Sequence, residues 1–497
     1  MPGNVSAVAG DYYFGEKLLS DVRNGSVSQQ RVAEMAERVM TPFFLLGQDE
    51  DFPSVDPSAA AAFLTYQYGH GSSSPISVPI VPARNVRGNH SELIREMGAA
   101  GTVLLKNEGG FLPLRNQTHF GIFGNGAPLP TVGSVFLDYG AHPEGFEMGT
   151  VDIGGGSGTV RHTFQVSPYE ALSKKIEEMG GRVQWLFENG KVADGDFRTI
   201  YPIPEVCLLF VKAYGTEGTD RTSINLEWNA TQAVESTAAL CPKTIVIIQS
   251  PGVITIPWAD NENVTAILAA HFQGEQAGNS IADVLWGVAE PSGRLPYTIP
   301  KLEGDYGPAI VSLTGPVTEP NAWQSNFSEG LFIDYRHFDA QKIEPLYEFG
   351  YGLGYTEFEM LNSSLTLNIT PGLSAGPNEN LGIAAGGLVD LWSVVGTITV
   401  NVTNVGYVPG HAVPQLYVSF PQKTTPSGTP LNVLRGFEKR QLGPGEEGRF
   451  AFDVTRRDLS FWDVERHQWM LPQDEFVFRV GFSSRDFRAE VSRAVRQ

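Results

Sequence analysis

The sequence predicts an α/β domain with a mainly parallel sheet, followed by an all-β sandwich and preceded by a short helical piece. Two changes of hydrophobic period carry that reading. Between residue 89 and about residue 300, fully apolar runs alternate with stretches of helical spacing; beyond about residue 385 the apolar period becomes two. The 55 Gly and 33 Pro among 497 residues favour a loop-rich, β-rich chain over a helical bundle. A chain of this length needs more than one hydrophobic core.

Residues 1–50 hold a helix without a domain around it. Over Val27–Gln48, the apolar residues Val32, Met35, Val39, Phe43 and Leu45 fall roughly on one helical face. Such a face has to pack on something, yet residues 51–88 are a linker rich in Pro, Ser, Gly and Ala. The piece reads as the tail of a domain whose body lies outside the chain.

The α/β domain is expected over 89–300. Asn89 and Glu92 resemble a capping box ahead of Leu93, Ile94 and Met97 at helical spacing. Strands are predicted at Phe120–Phe123, Val183–Phe187, Val206–Ala213, Thr244–Gln249 and Val264–Ala270. Helices are predicted at Pro168–Met179, Glu227–Leu240 and Glu275–Trp286. Apolar strands separated by helices imply a parallel sheet covered on both faces.

A Pro/Gly-rich connector, 301–384, leads to a sandwich over 385–497 of immunoglobulin or fibronectin size. Ile398, Val400 and Val402 alternate with polar residues, as do Phe450, Phe452, Val454 and then Phe476, Phe478, Val480, Phe482. Pro409-Gly410 and Gly443-Pro444-Gly445 supply turns between them.

Charge and cysteine content narrow the function classes. With 35 basic and 55 acidic residues the net charge is −20, which repels phosphate backbones, so no nucleic-acid partner is expected. No apolar stretch approaches the roughly 20 residues of a membrane span. Cys207 and Cys241 are the only cysteines, too few for a disulfide framework or a cysteine zinc site. In adjacent parallel strands both would lie near one end of the sheet, which leaves a bridge and two buried free thiols as open readings. Ten N-x-Ser/Thr sequons, opened by Asn4, Asn24, Asn89, Asn116, Asn229, Asn263, Asn326, Asn362, Asn368 and Asn401, point to a secreted glycoprotein. Asn401 falls on the polar phase of its strand, where a glycan would face solvent. The start, Met1-Pro2-Gly3, has neither the basic region nor the apolar core of a signal peptide. Either the chain is not exported, or residue 1 is not the natural start.

Several candidate sites fail on spacing. Gly154–Gly158 lacks the Lys-Ser/Thr of a phosphate loop, and Thr159 occupies the last glycine position of a G-x-S-x-G elbow. It is either a loop that brings backbone close to a ligand or a plain flexible turn. Gly121–Gly126 lacks the spacing of a dinucleotide fingerprint. The nine His are scattered, with no HExxH, so neither a metal nor a cofactor is expected. Glu217, in Glu217-Gly218-Thr219-Asp220-Arg221, is different. It follows the strand Val206–Ala213, at the C-terminal end where α/β sheets place ligands. Asp220 and Arg221 are placed to tune its acidity in opposite directions. The competing reading is a surface ion pair that fixes a loop. Glu275 starts a helix and reads as a partner of its N-terminal dipole.

Taken in order, these residues resemble glycoside hydrolase family 3, and most of all its secreted fungal β-glucosidases. The resemblance runs through nearly the whole chain. It rests on Thr102-Val103-Leu104-Leu105-Lys106-Asn107, Leu112-Pro113-Leu114, Gly154–Gly158, the Glu217 pentad, Gly278-Asn279, Asp283–Gly287, Pro291–Pro296, Glu329–Arg336 and Tyr347–Thr356. It implies a (β/α)₈ barrel, an α/β sandwich domain and a fibronectin-III-like domain, with the piece at 1–50 as the barrel's last remnant. It also implies a retaining mechanism, in which a barrel aspartate attacks and a glutamate of the second domain is acid/base. Glu217 matches that glutamate, and Ser157 matches a region bordering the glucose subsite. The Ser-Asp-Trp nucleophile motif occurs nowhere in the chain; Met1-Pro2-Gly3 matches a tripeptide that follows it, so the motif is expected upstream.

The expected function is hydrolysis of terminal β-D-glucosyl residues of cello-oligosaccharides or glucosides, in polysaccharide breakdown outside the cell. Little activity is expected of this chain alone. Two other readings are a non-catalytic glycan-binding or scaffold protein and a fragment without a stable fold.

Overall fold

The computed structural model describes residues 14–51, 87–131, 147–155, 164–217, 220–307 and 327–495. The chain divides into two units, Met1–Val86 and Arg87–Gln497. The first unit holds helices α1 (Glu16–Arg23) and α2 (Gln29–Leu45). The expected helix is therefore present, and α1 is an addition to it. Ser28 caps α2 by accepting the Arg31 amide at 3.1 Å. No residue of either helix is buried, and Val39 and Leu45 are among the exposed apolar side chains. Most of the expected linker lies outside the described residues.

The second unit opens with α3 (His90–Gly101). The capping box expected there does not form. Asn89 takes the N-cap position, but its side chain accepts no helix amide and reaches only Glu92, at 3.5 Å.

A six-stranded sheet follows, made of β1 (Val103–Asn107), β2 (His119–Phe123), β3 (Arg182–Leu186), β4 (Val206–Lys212), β5 (Thr244–Gln249) and β6 (Val264–Ala269). Its order is β1-β6-β5-β4-β2-β3. The five strands from β2 to β6 run parallel, and β1 closes the edge antiparallel to β6. Helices α4 (Pro168–Glu178), α5 (Asn189–Ala193), α6 (Ala230–Leu240) and α7 (Ala277–Leu285) accompany it.

Strand β4 shows why the sheet is parallel and doubly covered. All seven of its residues are buried. Cys207, Leu209 and Val211 enter one core with Val234 and Ala238 of α6; Val206, Leu208 and Phe210 enter the other with Leu172 of α4 and Val284 of α7. A strand buried on both faces gains about 1.5–3 kcal/mol per large apolar side chain, so its sequence is apolar without alternation.

The sandwich has the predicted alternation. Its first sheet centres on β9 (Val394–Asn404), antiparallel to β12 (Glu447–Thr455), β7 (Phe358–Met360) and β8 (Thr366–Ile369). β7 and β8 come from the segment read as connector. The second sheet runs β11 (Val433–Phe437), β10 (Gln415–Ser419), β13 (Glu475–Gly481), β14 (Phe487–Ala494). Ile398, Val400, Phe450 and Phe452 meet Leu416, Val418, Phe476 and Phe478 in one core between the sheets. Helix α8 (Tyr335–Gln341) ties the connector to this domain, the Tyr335 hydroxyl accepting the Leu434 amide at 3.1 Å. Among the described residues, no helix is long and apolar enough to cross a membrane.

Candidate active site

The site forms where β4 leaves the middle of the sheet. Beyond Lys212 the chain passes through Ala213, Tyr214, Gly215 and Thr216 to an exposed Glu217. Gly215 is small of necessity, because a Cβ there would lie 2.8 Å from the Pro251 ring. Its carbonyl accepts the Gly155 amide at 3.0 Å. A Cβ on Gly155 would strike the Tyr214 hydroxyl and Thr216. The opening of the glycine-rich segment therefore lies directly on the loop that carries Glu217, and its glycines permit that approach. Ser157 lies outside the described residues.

Lys212 escaped the sequence reading, although a charge that ends an otherwise apolar strand is a visible signal. It is fully buried, and its Nζ donates to the Gly149 carbonyl at 2.6 Å. The ammonium lies 5.1 Å from the centre of the Trp228 ring. Burial pushes its pKa down to about 7, against the opposing pull of Glu147 and Glu227. Beside it, Gln249 at the end of β5 accepts the Val151 amide at 3.2 Å and donates to Thr150 at 2.7 Å. Strands β4 and β5 thus hold residues 149–151. Trp228 and Asn229 both have positive φ, 51° and 55°, which presents the indole to Lys212 at a cost in backbone strain.

Arg221 of the pentad is held mainly by backbone carbonyls. Arg221 donates through Nη1 to the Val253 carbonyl at 3.0 Å and through Nη2 to the Asn225 carbonyl at 3.1 Å. Burial pulls its pKa down, and the carboxylates that oppose this are Glu227 and Glu303. Glu303 also accepts from Ser223, Ile224 and Asn225, while Glu227 accepts the Tyr214 amide at 2.7 Å. The downstream half of the loop is therefore pinned by Arg221, Glu227 and Glu303, with Glu217 displayed at its exposed start. Asp220 is also exposed.

At the end of β6, His271 has φ of 56° and shares a hydrogen bond of 2.8 Å with the Tyr297 hydroxyl. Burial pushes His271 down to about 4, so its imidazole is neutral in mildly acidic solution, and the same burial raises Tyr297. Glu275 lies in a short turn ahead of α7, where the dipole reading put it. Its carboxylate accepts from Ser91 and pairs with Arg87 at 3.7 Å, which fastens α3 to the sheet's C-terminal edge.

At the opposite end of the sheet, Cys207 and Cys241 are joined by a disulfide, their Cα atoms 6.2 Å apart. The bridge is one of the two readings that the sequence left open. Of the sequon asparagines, Asn24, Asn89, Asn116, Asn229 and Asn368 are exposed. Asn263 and Asn401 are half-buried, with Nδ2 donating to Ala238 and Glu447 respectively. Asn4 and Asn326 lie outside the described residues, as does the side chain of Asn362.

Comparison with known proteins places these features in a family context. Residues 102–355 match the glycosyl hydrolase family 3 C-terminal domain, and residues 412–484 match a fibronectin type III-like domain. The chain is 46% identical over 482 residues to a probable β-glucosidase G of Neosartorya fischeri, covering 96% of this chain and 57% of that protein. It is 35% identical to a probable β-glucosidase L of Aspergillus terreus, covering 99% of this chain and 63% of that one. Among solved structures it resembles the β-glucosidase D2-BGL of Chaetomella raphigera, with TM-score 0.82, 32% identity and coverage of 98% and 64%. It also resembles a β-D-glucoside glucohydrolase of Trichoderma reesei, with TM-score 0.79, 31% identity and coverage of 97% and 63%. The chain thus spans less than two thirds of the length of each of these relatives.

Proposed function

We propose that this chain, which belongs to glycoside hydrolase family 3, supplies the acid/base half of a retaining β-glucosidase. One observation carries the proposal. Glu217 is exposed at the C-terminal end of the central strand, on a loop that the glycine-rich segment contacts through Gly155 and Gly215. In this role Glu217 protonates the departing glycosidic oxygen and then deprotonates the water that releases the sugar. Retention requires a second carboxyl about 5–5.5 Å away as nucleophile. No Ser-Asp-Trp stands in the chain, so we assign that carboxyl to an upstream barrel, with α1 and α2 as its final part. Residues 51–88 then link it to the α/β domain.

The substrate is a terminal β-D-glucosyl residue of a cello-oligosaccharide or glucoside, in keeping with the names of the relatives. Ser157 is assigned to the border of the glucose subsite. The Cys207–Cys241 bridge and the ten sequons support a secreted glycoprotein, since disulfides persist in oxidising compartments. No metal or cofactor is invoked.

The test has two arms. The purified 497-residue chain should show little turnover of an aryl β-glucoside, because the covalent route needs the second carboxyl and general acid assistance alone is worth only about 10²–10⁴-fold. Joined to the upstream segment of the Neosartorya fischeri relative, it should turn over cellobiose, and Glu217→Gln should then cost about 10²–10⁴-fold. A glucoside with an acidic phenol as leaving group needs little protonation and should lose less in the bond-breaking step. Equal loss on both substrates, or none, would remove Glu217 from the acid/base role.

A further inference from the structure

We infer that the fibronectin-like domain carries a second ligand site: an aromatic, arginine-lined groove that takes an oligosaccharide bearing carboxylate groups. The groove encloses about 690 Å³, more room than a lone anion needs and within the usual range for a small-molecule ligand. A short hairpin, Phe461–Asp463 with Gln468–Met470, brings Trp462 opposite Trp469 and lines it with both indoles. Their ring centres are 5.7 Å apart and meet edge to face, and Trp462 is 45% exposed. An exposed indole offers a flat apolar face to the C–H side of a sugar ring while keeping a polar edge.

The polar half of the groove comes from Arg336 on α8 and Arg435 on β11. Arg336 lies over the Tyr335 ring at 4.7 Å and Arg435 over the Phe420 ring at 5.6 Å. Neither guanidinium makes a hydrogen bond or ion pair among the described residues, and the Arg435 Nε is buried without an acceptor. Burial pulls Arg435 down, and the like charges of Arg336 and Arg457 add to this. Asp458 opposes it, but that carboxylate already accepts from the Thr455 amide at 2.9 Å and hydroxyl at 2.7 Å.

Buried donors in native proteins find partners. A carboxylate matches the fixed fork of a guanidinium and relieves the repulsion between two of them. Glu329 also borders the groove and confines the ligand's carboxylate to the arginine side. On a chain of net charge −20, such a cationic spot is a local exception that an acidic ligand can find. This site makes no use of Glu217.

The experiment is calorimetry on the purified chain with tetragalacturonate as the acidic probe and cellotetraose as the neutral one. Tetragalacturonate should bind at least about tenfold tighter, and added salt should weaken it. Trp462→Ala and Arg336→Gln, both at accessible positions, should each weaken binding about tenfold or more, with unchanged thermal unfolding. Arg435→Gln should do the same, and if it fails to fold the other two variants still decide. Glu217→Gln should bind as the parent does. Equal affinity for both probes, no heat at millimolar ligand, or binding indifferent to Arg336→Gln would overturn the assignment.

Discussion

The two ends of β4 are built on opposite principles. At its start, Cys207 is fully buried, bonded to Cys241 and surrounded by apolar core. At its end, Lys212 is just as buried but carries an amine, a carbonyl partner and an indole. One end is closed by a covalent bond that no ordinary change of pH opens. The other is held by polar contacts whose strength depends on a proton. The contrast sets a covalently closed end against the end where α/β sheets place ligands, and there buried polarity and backbone strain hold the loops.

The largest expected effect comes from the covalent end. The bridge spans a sequence separation of 34, and removing it by Cys207→Ala with Cys241→Ala should cost about 2–4 kcal/mol of stability in denaturant unfolding. Binding to the sandwich groove should not change. An unaltered midpoint would show that the sheet's start is held by packing alone.

Lys212 sharpens the other half of the comparison. Its folded pKa of about 7 lies below the ordinary 10.5, so between those values the unfolded chain holds a proton that the folded chain has released. Stability should therefore rise with pH across this window, by up to about 1.4 kcal/mol per unit from this group. Lys212→Met should flatten the rise while leaving the disulfide end untouched. A slope unchanged in the variant would mean that the amine is not the group responsible.

The same contrast explains what could be read from the sequence. Apolar runs such as Val206–Val211 reveal a strand buried on both faces, because no alternation is needed there. The position of Glu217 just past that run was legible for the same reason. Lys212 closes that run, and its charge is visible there, but the sequence does not say that the amine is buried rather than turned to solvent. Strand β1 was missed because Lys106 and Asn107 shorten its apolar part, and its pairing with β6 is a tertiary fact. The cap at Asn89 failed because the pattern names the residues but not their backbone angles. Arg336, Arg435 and Trp462 share a groove only because the sandwich folds three separate segments together, which no local spacing announces.

His271 tests whether the proton-dependent end extends to β6. Its pKa of about 4 lies below the ordinary 6.5, so the folded imidazole stays neutral while the unfolded one is protonated between these values. Stability should be fully present above about pH 6.5 and fall as pH drops towards 4, by at most about 1.4 kcal/mol per unit. His271→Gln should remove this acid sensitivity, as read from thermal midpoints across the window.

The smallest expected effect belongs to the residue with the largest proposed role. Glu217 is exposed, and the anchoring of its loop rests on Arg221, Glu227 and Glu303. Glu217→Gln should therefore change unfolding free energy by no more than about 0.5 kcal/mol. Glu227→Gln should cost more, because it removes the charge that opposes the desolvation of both Lys212 and Arg221. If Glu217 were a structural ion-pair partner, the order of the two variants would reverse. Equilibrium unfolding of both, side by side, distinguishes a carboxylate that holds the loop from one that the loop holds out.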